Sequence, residues 1–142
     1  MSTPTQTSSL TEFVHDVFIE VFFSPSEAIS EAAFHKNWSR SDIHENQNGT
    51  HLSYNEFDTV LKTMRRTITN RKLVSESFVV GTPASDPTGQ TGTVAHTSVF
   101  TGIQDGAEIT GTIVAVMKVQ WVQSPYHGRH RVFVSDTFVL AM

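Results

Sequence analysis

The second half of the chain sets the terms of the fold. Four long segments, 72–83, 91–104, 108–123 and 129–142, are rich in Val, Ile, Thr and Phe, residues that suit a pleated, half-buried surface. The links between them are short. They are a loop from Pro83 to Gly89, a tight hairpin at Asp105-Gly106 and a turn from Ser124-Pro125 to Gly128. A parallel strand pair needs a crossover of about a dozen residues or more. These links leave no room for one, so the segments predict an antiparallel meander.

The third segment adds a constraint. Ile113, Val114, Ala115, Val116 and Met117 are apolar without interruption. A strand with one wet face alternates, whereas a continuous run is expected where both faces are covered. Helices cover one face. The simplest cover for the other is a second copy of the chain, packed sheet to sheet as a homodimer. The alternative is another segment of the same chain.

The first half reads as helical. Ser9 with Glu12, Ser24 with Glu27 and Ser53 with Glu56 each have the capping-box spacing, in which each side chain satisfies the other residue's backbone N–H. The helices they predict run over 11–23, 25–36 and 54–68. Phe13, Val14, Val17, Phe18, Val21 and Phe22 form the buried stripe of the first, and Ala28, Ile29, Ala32 and Ala33 that of the second. Phe57, Val60, Leu61, Met64 and Ile68 form that of the third. Residues 1–9 are small and polar and read as a flexible tail. Between the second and third helices a polar link contains an Asn48-Gly49 turn suited to short strands. The expectation is one α+β domain over 10–142, with helices on one face of a sheet.

Bulk properties narrow the function. The net charge is −4 and the pI about 5.9. Lys and Arg are few and scattered, so no nucleic-acid footprint is visible. Arg65-Arg66 and Arg71-Lys72 flank a helix end, where they meet its negative pole. With no Cys, disulfides, thiolate metal sites and a Cys nucleophile are excluded. No apolar run has membrane-spanning length and no export signal is visible, so the expectation is a cytoplasmic protein with no membrane partner. His127 and His130 flank Arg129 in a basic turn that reads as solvated rather than metal-binding, and no metal is expected. There is no phosphate-binding glycine loop and no Gly-x-Ser-x-Gly elbow.

What remains is a set of polar groups on segments built for a core. Val132, Val134, Asp136, Phe138 and Leu140 alternate on the last strand, which puts a carboxylate in an apolar row. Burial raises the pKa of such a group and makes it a usable acid or base. A structural anchor bonded to Arg or backbone amides is the other reading. His96 shares a face with Val94, Ser98 and Phe100 and is either a proton shuttle or a core histidine. Trp38, Arg40, His44, Glu45 and Asn46 crowd one short stretch and form either a pocket rim or an ordinary polar loop.

The order of elements resembles the nuclear transport factor 2-like superfamily, and within it the SnoaL-like polyketide cyclase group. Members similar to this chain carry a Tyr-Ile-x-His-Asn-Pro stretch before the third helix. Here it reads Asp42-Ile43-His44-Glu45-Asn46-Gln47, so Ile43 and Asn46 match while Glu45 and Gln47 replace the family's His and Pro. The resemblance implies a cone-shaped fold, three N-terminal helices on a curved, mainly antiparallel sheet, with a pocket between them and dimerisation through the outer sheet face. It implies no cofactor and acid–base groups in an apolar pocket, with a carboxylate on the last strand. On that footing the chain is expected to be an isomerase, cyclase or dehydratase of secondary metabolism, acting on a polycyclic, polyketide- or terpenoid-like small molecule. Asp136 is then the main acid or base and His96 or His44 its proton partner. Trp38, Arg40, Glu45, Asn46, Tyr54, Phe57, Met117, Trp121 and Phe138 are the expected substrate contacts. The alternative is a small-ligand-binding or dimerisation module without chemistry.

Overall fold

Both two-residue turns marked in the sequence form. Asn48 and Gly49 have φ of 47° and 86°, and Asp105 and Gly106 have 53° and 77°. Positive φ at both central residues matches the twist of a hairpin, and Asn, Asp and Gly tolerate it. The computed structural model describes residues 8–40 and 44–142. Most of the predicted tail, over 1–7, and Asp42-Ile43 of the quoted motif lie outside the described residues.

Three α-helices pack on a curved, open, six-stranded sheet. The helices are α1 (Leu10–Phe18), α2 (Glu27–Asn37) and α3 (Tyr54–Thr67). The strands are β1 (His44–Gln47), β2 (Thr50–Leu52), β3 (Thr69–Gly81), β4 (Gly92–Gln104), β5 (Ala107–Ser124) and β6 (Gly128–Ala141). The sheet order is β2-β1-β6-β5-β4-β3. β3 to β6 form the predicted antiparallel meander, and β1 joins β6 in parallel. No helix among the described residues is long and apolar enough to cross a membrane.

Two of the three capping boxes close as expected, Ser9 with Glu12 and Ser53 with Glu56. The third does not. The Ser26 hydroxyl accepts from the Ile29 N–H, and Ser24 Oγ instead accepts from the Ser26 N–H in the turn before it. α2 therefore starts later than predicted, and its buried face is Ser30, Ala33, Phe34 and Asn37, with Ile29 52% exposed. Ala28 and Ala32 are exposed too. That face still has helical spacing, but it is organised by Phe34, whose ring buries more apolar area than the alanines. The first helix also departs from regularity. Ile19–Phe23 form a π-helical turn, which keeps Phe22 against Phe18 and Phe23 against Phe100. At the far end of α3, Arg71 donates to the carbonyls of Arg65, Ile68 and Phe22. It ties two helix ends together at their electronegative poles.

β6 breaks the alternation read from its sequence. The register steps from Lys118↔Ser135 to Val119↔Phe133, leaving Val134 as a bulge. A bulge shifts the phase of every residue beyond it. Phe133, Asp136 and Phe138 consequently face the helices, while Val134 does not continue the row.

The cap at α3 gives a direct check. Ser53→Ala removes the acceptor for the Glu56 N–H and is expected to lower unfolding stability by about 0.5–2 kcal/mol, measured by urea denaturation. No loss would mean that the cap carries no weight.

Candidate active site

The far end of α2 is pinned to the sheet. Trp38 pairs with Phe133 in parallel fashion, and the Ser39 N–H donates to the Phe133 carbonyl at 3.0 Å. This fixes the indole over β6, where its Nε1–H donates to Asp136 Oδ2 at 3.3 Å. Phe34, Phe57 and Phe133 surround the indole, with ring centroids at 5.4, 6.0 and 4.6 Å. Asp136 therefore sits in an aromatic wall with one neutral donor. Its other oxygen has no hydrogen-bond partner among the described residues.

A second carboxyl stands beside it. The parallel pairing of β1 with β6 puts Glu45 in register with Asp136. Glu45 is fully buried, and neither of its oxygens has a partner among the described residues. Burial pushes the Glu45 carboxyl far above the usual range, and the neighbouring Asp136 charge pushes it further. Burial also raises Asp136, opposed by the Trp38 hydrogen bond. Two like charges side by side in a dry site cannot both ionise cheaply, so the pair retains a proton in neutral water.

Across the same inner face lies His96. It pairs with Ala115 on β5, which pairs with Phe138 on β6, two residues beyond Asp136. That offset places the Cα atoms of His96 and Asp136 about 12 Å apart from strand spacing and rise alone. Both side chains border one cavity of about 20 Å³, whose wall also includes Trp38, Phe57, Met117 and Phe138. A water molecule needs roughly 10–15 Å³ of such space. The cavity holds about one water as it stands.

The residues singled out from sequence divide clearly. Asp136, His96, Trp38, Phe57, Met117 and Phe138 come together around the cavity. His44 does not join them. It is exposed and one residue before Glu45, so it faces the other side of the strand. Arg40 lies over the Tyr54 ring at 5.2 Å, and the Tyr54 hydroxyl is 2.6 Å from His35 Nδ1, both away from the cavity. Asn46 follows Glu45 and pairs with Thr137, and Trp121 packs under the Arg129 guanidinium at 4.2 Å. Glu45 lies behind Asp136 rather than on the cavity wall. Sequence reading passed over Phe133, hidden by the bulge, and Glu76, which bonds His96. Glu76 alternates with Phe78 and Val80 and carries the same signal as Asp136, a carboxylate in an apolar row.

One cluster has the spacing of metal ligands among the described residues, Glu31, His35 and Asp58. Its carboxylates are already engaged by cations. Glu31 pairs with Arg65, and Lys62 lies 3.8 Å from Glu31 and 3.3 Å from Asp58.

The stacked carboxyls imply a measurable pH dependence. Each has a higher pKa folded than unfolded, so its contribution to stability is present below the unfolded value and lost as pH rises through the folded one. Wild type should lose stability as pH climbs from the unfolded carboxylate range, about 4, through about 7 for Asp136 and on to about 10 for Glu45. Glu45→Gln and Asp136→Asn should flatten that slope and match or exceed wild type at the upper end by roughly 1–3 kcal/mol, one pKa unit being about 1.4 kcal/mol. Melting well below wild type at high pH would make Asp136 a charged anchor instead.

No protein-family model matches the sequence, and no curated protein matches it significantly. Solved structures do match the fold. An NTF2-like protein of unknown function in nutrient uptake from Rhodospirillum rubrum is 15% identical with a TM-score of 0.58, over 92% of this chain and 98% of that one. An NTF2-like protein of unknown function from Pseudomonas aeruginosa is 9% identical with a TM-score of 0.62, over 93% of this chain and 98% of that one. The fold is that of the nuclear transport factor 2-like proteins.

Proposed function

On this nuclear transport factor 2-like fold, we propose a cofactor-independent enzyme that moves protons on an apolar, polycyclic or terpenoid-like small molecule by isomerisation, cyclisation or dehydration. Asp136 is its main acid or base and His96 its partner. The observation that carries this reading is the pairing of two buried ionisable groups on one apolar cavity wall. Asp136 has a single neutral donor and His96 has a nitrogen without a partner among the described residues. Burying such groups costs folding free energy, and perturbed groups converging on a cavity are a mark of chemistry. The order of elements, which resembles that of the polyketide cyclase group although Glu45 and Gln47 depart from its motif, points to the same reaction class.

The size of the cavity favours a second reading, a ligand-binding or dimerisation module whose interior is filled by its own side chains. About 20 Å³ admits no polycycle. Trp38 is the point at which the readings separate. It lines the inner cavity and also an open groove of about 440 Å³ between α2 and the β5–β6 turn. Catalysis requires the indole to swing and release Asp136, joining the two spaces.

A panel of polycyclic and terpenoid ketones and alcohols tests this, with binding followed at the Trp38 indole N–H resonance and conversion by mass spectrometry. The expected result is conversion that falls by about 10²–10⁴ in Asp136→Asn, with binding kept. Binding without conversion would establish the second reading.

The reading includes a homodimer. Val79, Ala95, Val116 and Thr137 lie in one register row across β3 to β6 on the sheet face turned away from the helices. Val79 is 74% exposed and Val116 46%, and Val114 and Val139 lie exposed beside them. No described segment of the chain covers this face. Sedimentation at micromolar concentration should give twice the 15.8 kDa chain mass, and Val116→Lys should shift it toward the single chain. A wild-type monomer would remove the dimer from the reading.

A further inference from the structure

His96 is held from behind by a carboxylate that the cavity does not contain. Glu76, on β3, lies with Oε2 3.0 Å from His96 Nε2. Its other oxygen bonds Nδ1 of His15, on α1. The side chains are 0%, 16% and 41% exposed in the order His96, Glu76, His15, so the chain of contacts runs from the cavity wall to solvent. The His96 ring is clamped. Phe78 stacks on one face, with centroids 4.6 Å apart and planes 16° apart, and Phe18 meets it edge-on at 4.7 Å. Nδ1 is buried without a partner among the described residues.

These contacts dictate a tautomer. An ionised carboxylate accepts and does not donate, so the ring nitrogen facing Glu76 must carry the proton. We propose that Glu76 is a positioning residue that holds His96 as the Nε2–H tautomer, presenting Nδ1 as the proton acceptor of the cavity. When Nδ1 takes a proton from a bound molecule, the ring becomes an imidazolium, and its Nε2–H stays bonded to Glu76, whose charge stabilises it. The proton comes from the ligand and no other bond changes in the protein. His15 fills the second oxygen of Glu76 and keeps that carboxylate turned toward β4. The assignment rests on the acid–base reading of the cavity. Burial holds the His96 pKa down, with Glu76 opposing, which leaves a neutral ring able to accept.

The charged and titratable groups around His96, among the described residues, are Glu76 from β3, His15 from α1 and Asp136 across the cavity on β6. Ala115, its neighbour on β5, and Phe18 bring no charge. The test uses ligand-free full chain labelled with nitrogen-15, in which two-bond proton–nitrogen correlations report the state of each imidazole nitrogen. Wild type should show His96 with Nε2 protonated and Nδ1 bare at neutral pH. Glu76→Gln keeps the shape and removes the charge, and should lower the His96 protonation midpoint by roughly one pH unit or more. Glu76→Ala should leave a mixture of tautomers. A wild-type Nδ1–H tautomer would overturn the proposal, as would a midpoint unmoved in Glu76→Gln. Because these readings need no substrate, they stand apart from any failure to find conversion, which would count against the enzyme reading alone.

Discussion

Two carboxyls are held side by side, out of water, by the register of a single parallel strand pair. β1 joins β6 so that Glu45 meets Asp136, and the pinned end of α2 supplies one indole N–H, to Asp136. Neither carboxyl has an Arg or Lys partner among the described residues. Neutralising by proton uptake is the cheaper escape from a dry site than ionisation without a partner. The arrangement therefore stores protons at the one place where helices, hairpin and meander converge. Loosening α2, the β1–β2 hairpin or the β6 bulge would each disturb it, because each element supplies one side of the enclosure.

The inner sheet face is asymmetric around this point. One side of the cavity holds Asp136, whose pKa burial raises to about 7, with Glu45 beside it but off the wall, and the other holds His96, whose pKa burial lowers. Opposite ionisable classes respond to the same desolvation in opposite directions, yet both become uncharged. The result is two ionisable groups, each biased toward its uncharged form, lining one apolar space.

Much of this was legible one segment at a time. The alternation on β6 exposed Asp136, that on β4 exposed His96, and the turn dipeptides and two capping boxes gave the elements their ends. What was not legible came from pairings between distant segments. Glu45 gains its importance only from lying beside Asp136, and no local period announces a parallel strand added from the far end of the helical half. Phe133 was hidden because a bulge resets the phase within a strand, which strict alternation cannot register. His15 and Glu76 carried no signal of their contact. Their contact spans two elements and depends on how α1 crosses β3. Ser24 matched a capping spacing that Ser26 took over, because a second hydroxyl stood closer to the helix.

The space between Asp136 and His96 has its own cause. Along one register row the inner face reads Phe78, His96, Ala115 and Phe138. Three rings flank one methyl group. On the same strand Ile113, Met117 and Val119 are larger and buried, and the space at Gly111 is filled by the Phe100 ring, so the small side chain of Ala115 leaves room on the cavity wall. A well-packed interior would fill that gap, since unfilled volume forfeits dispersion contacts on its lining. Leaving it open between the two buried ionisable groups sacrifices packing at the same place where the fold already bears the desolvation of His96, Glu45 and Asp136. The coincidence of packing defect and buried polarity across Ala115 follows from sheet register: His96 and Phe138 both pair with Ala115, and Asp136 pairs with Met117 two residues further along the same strand.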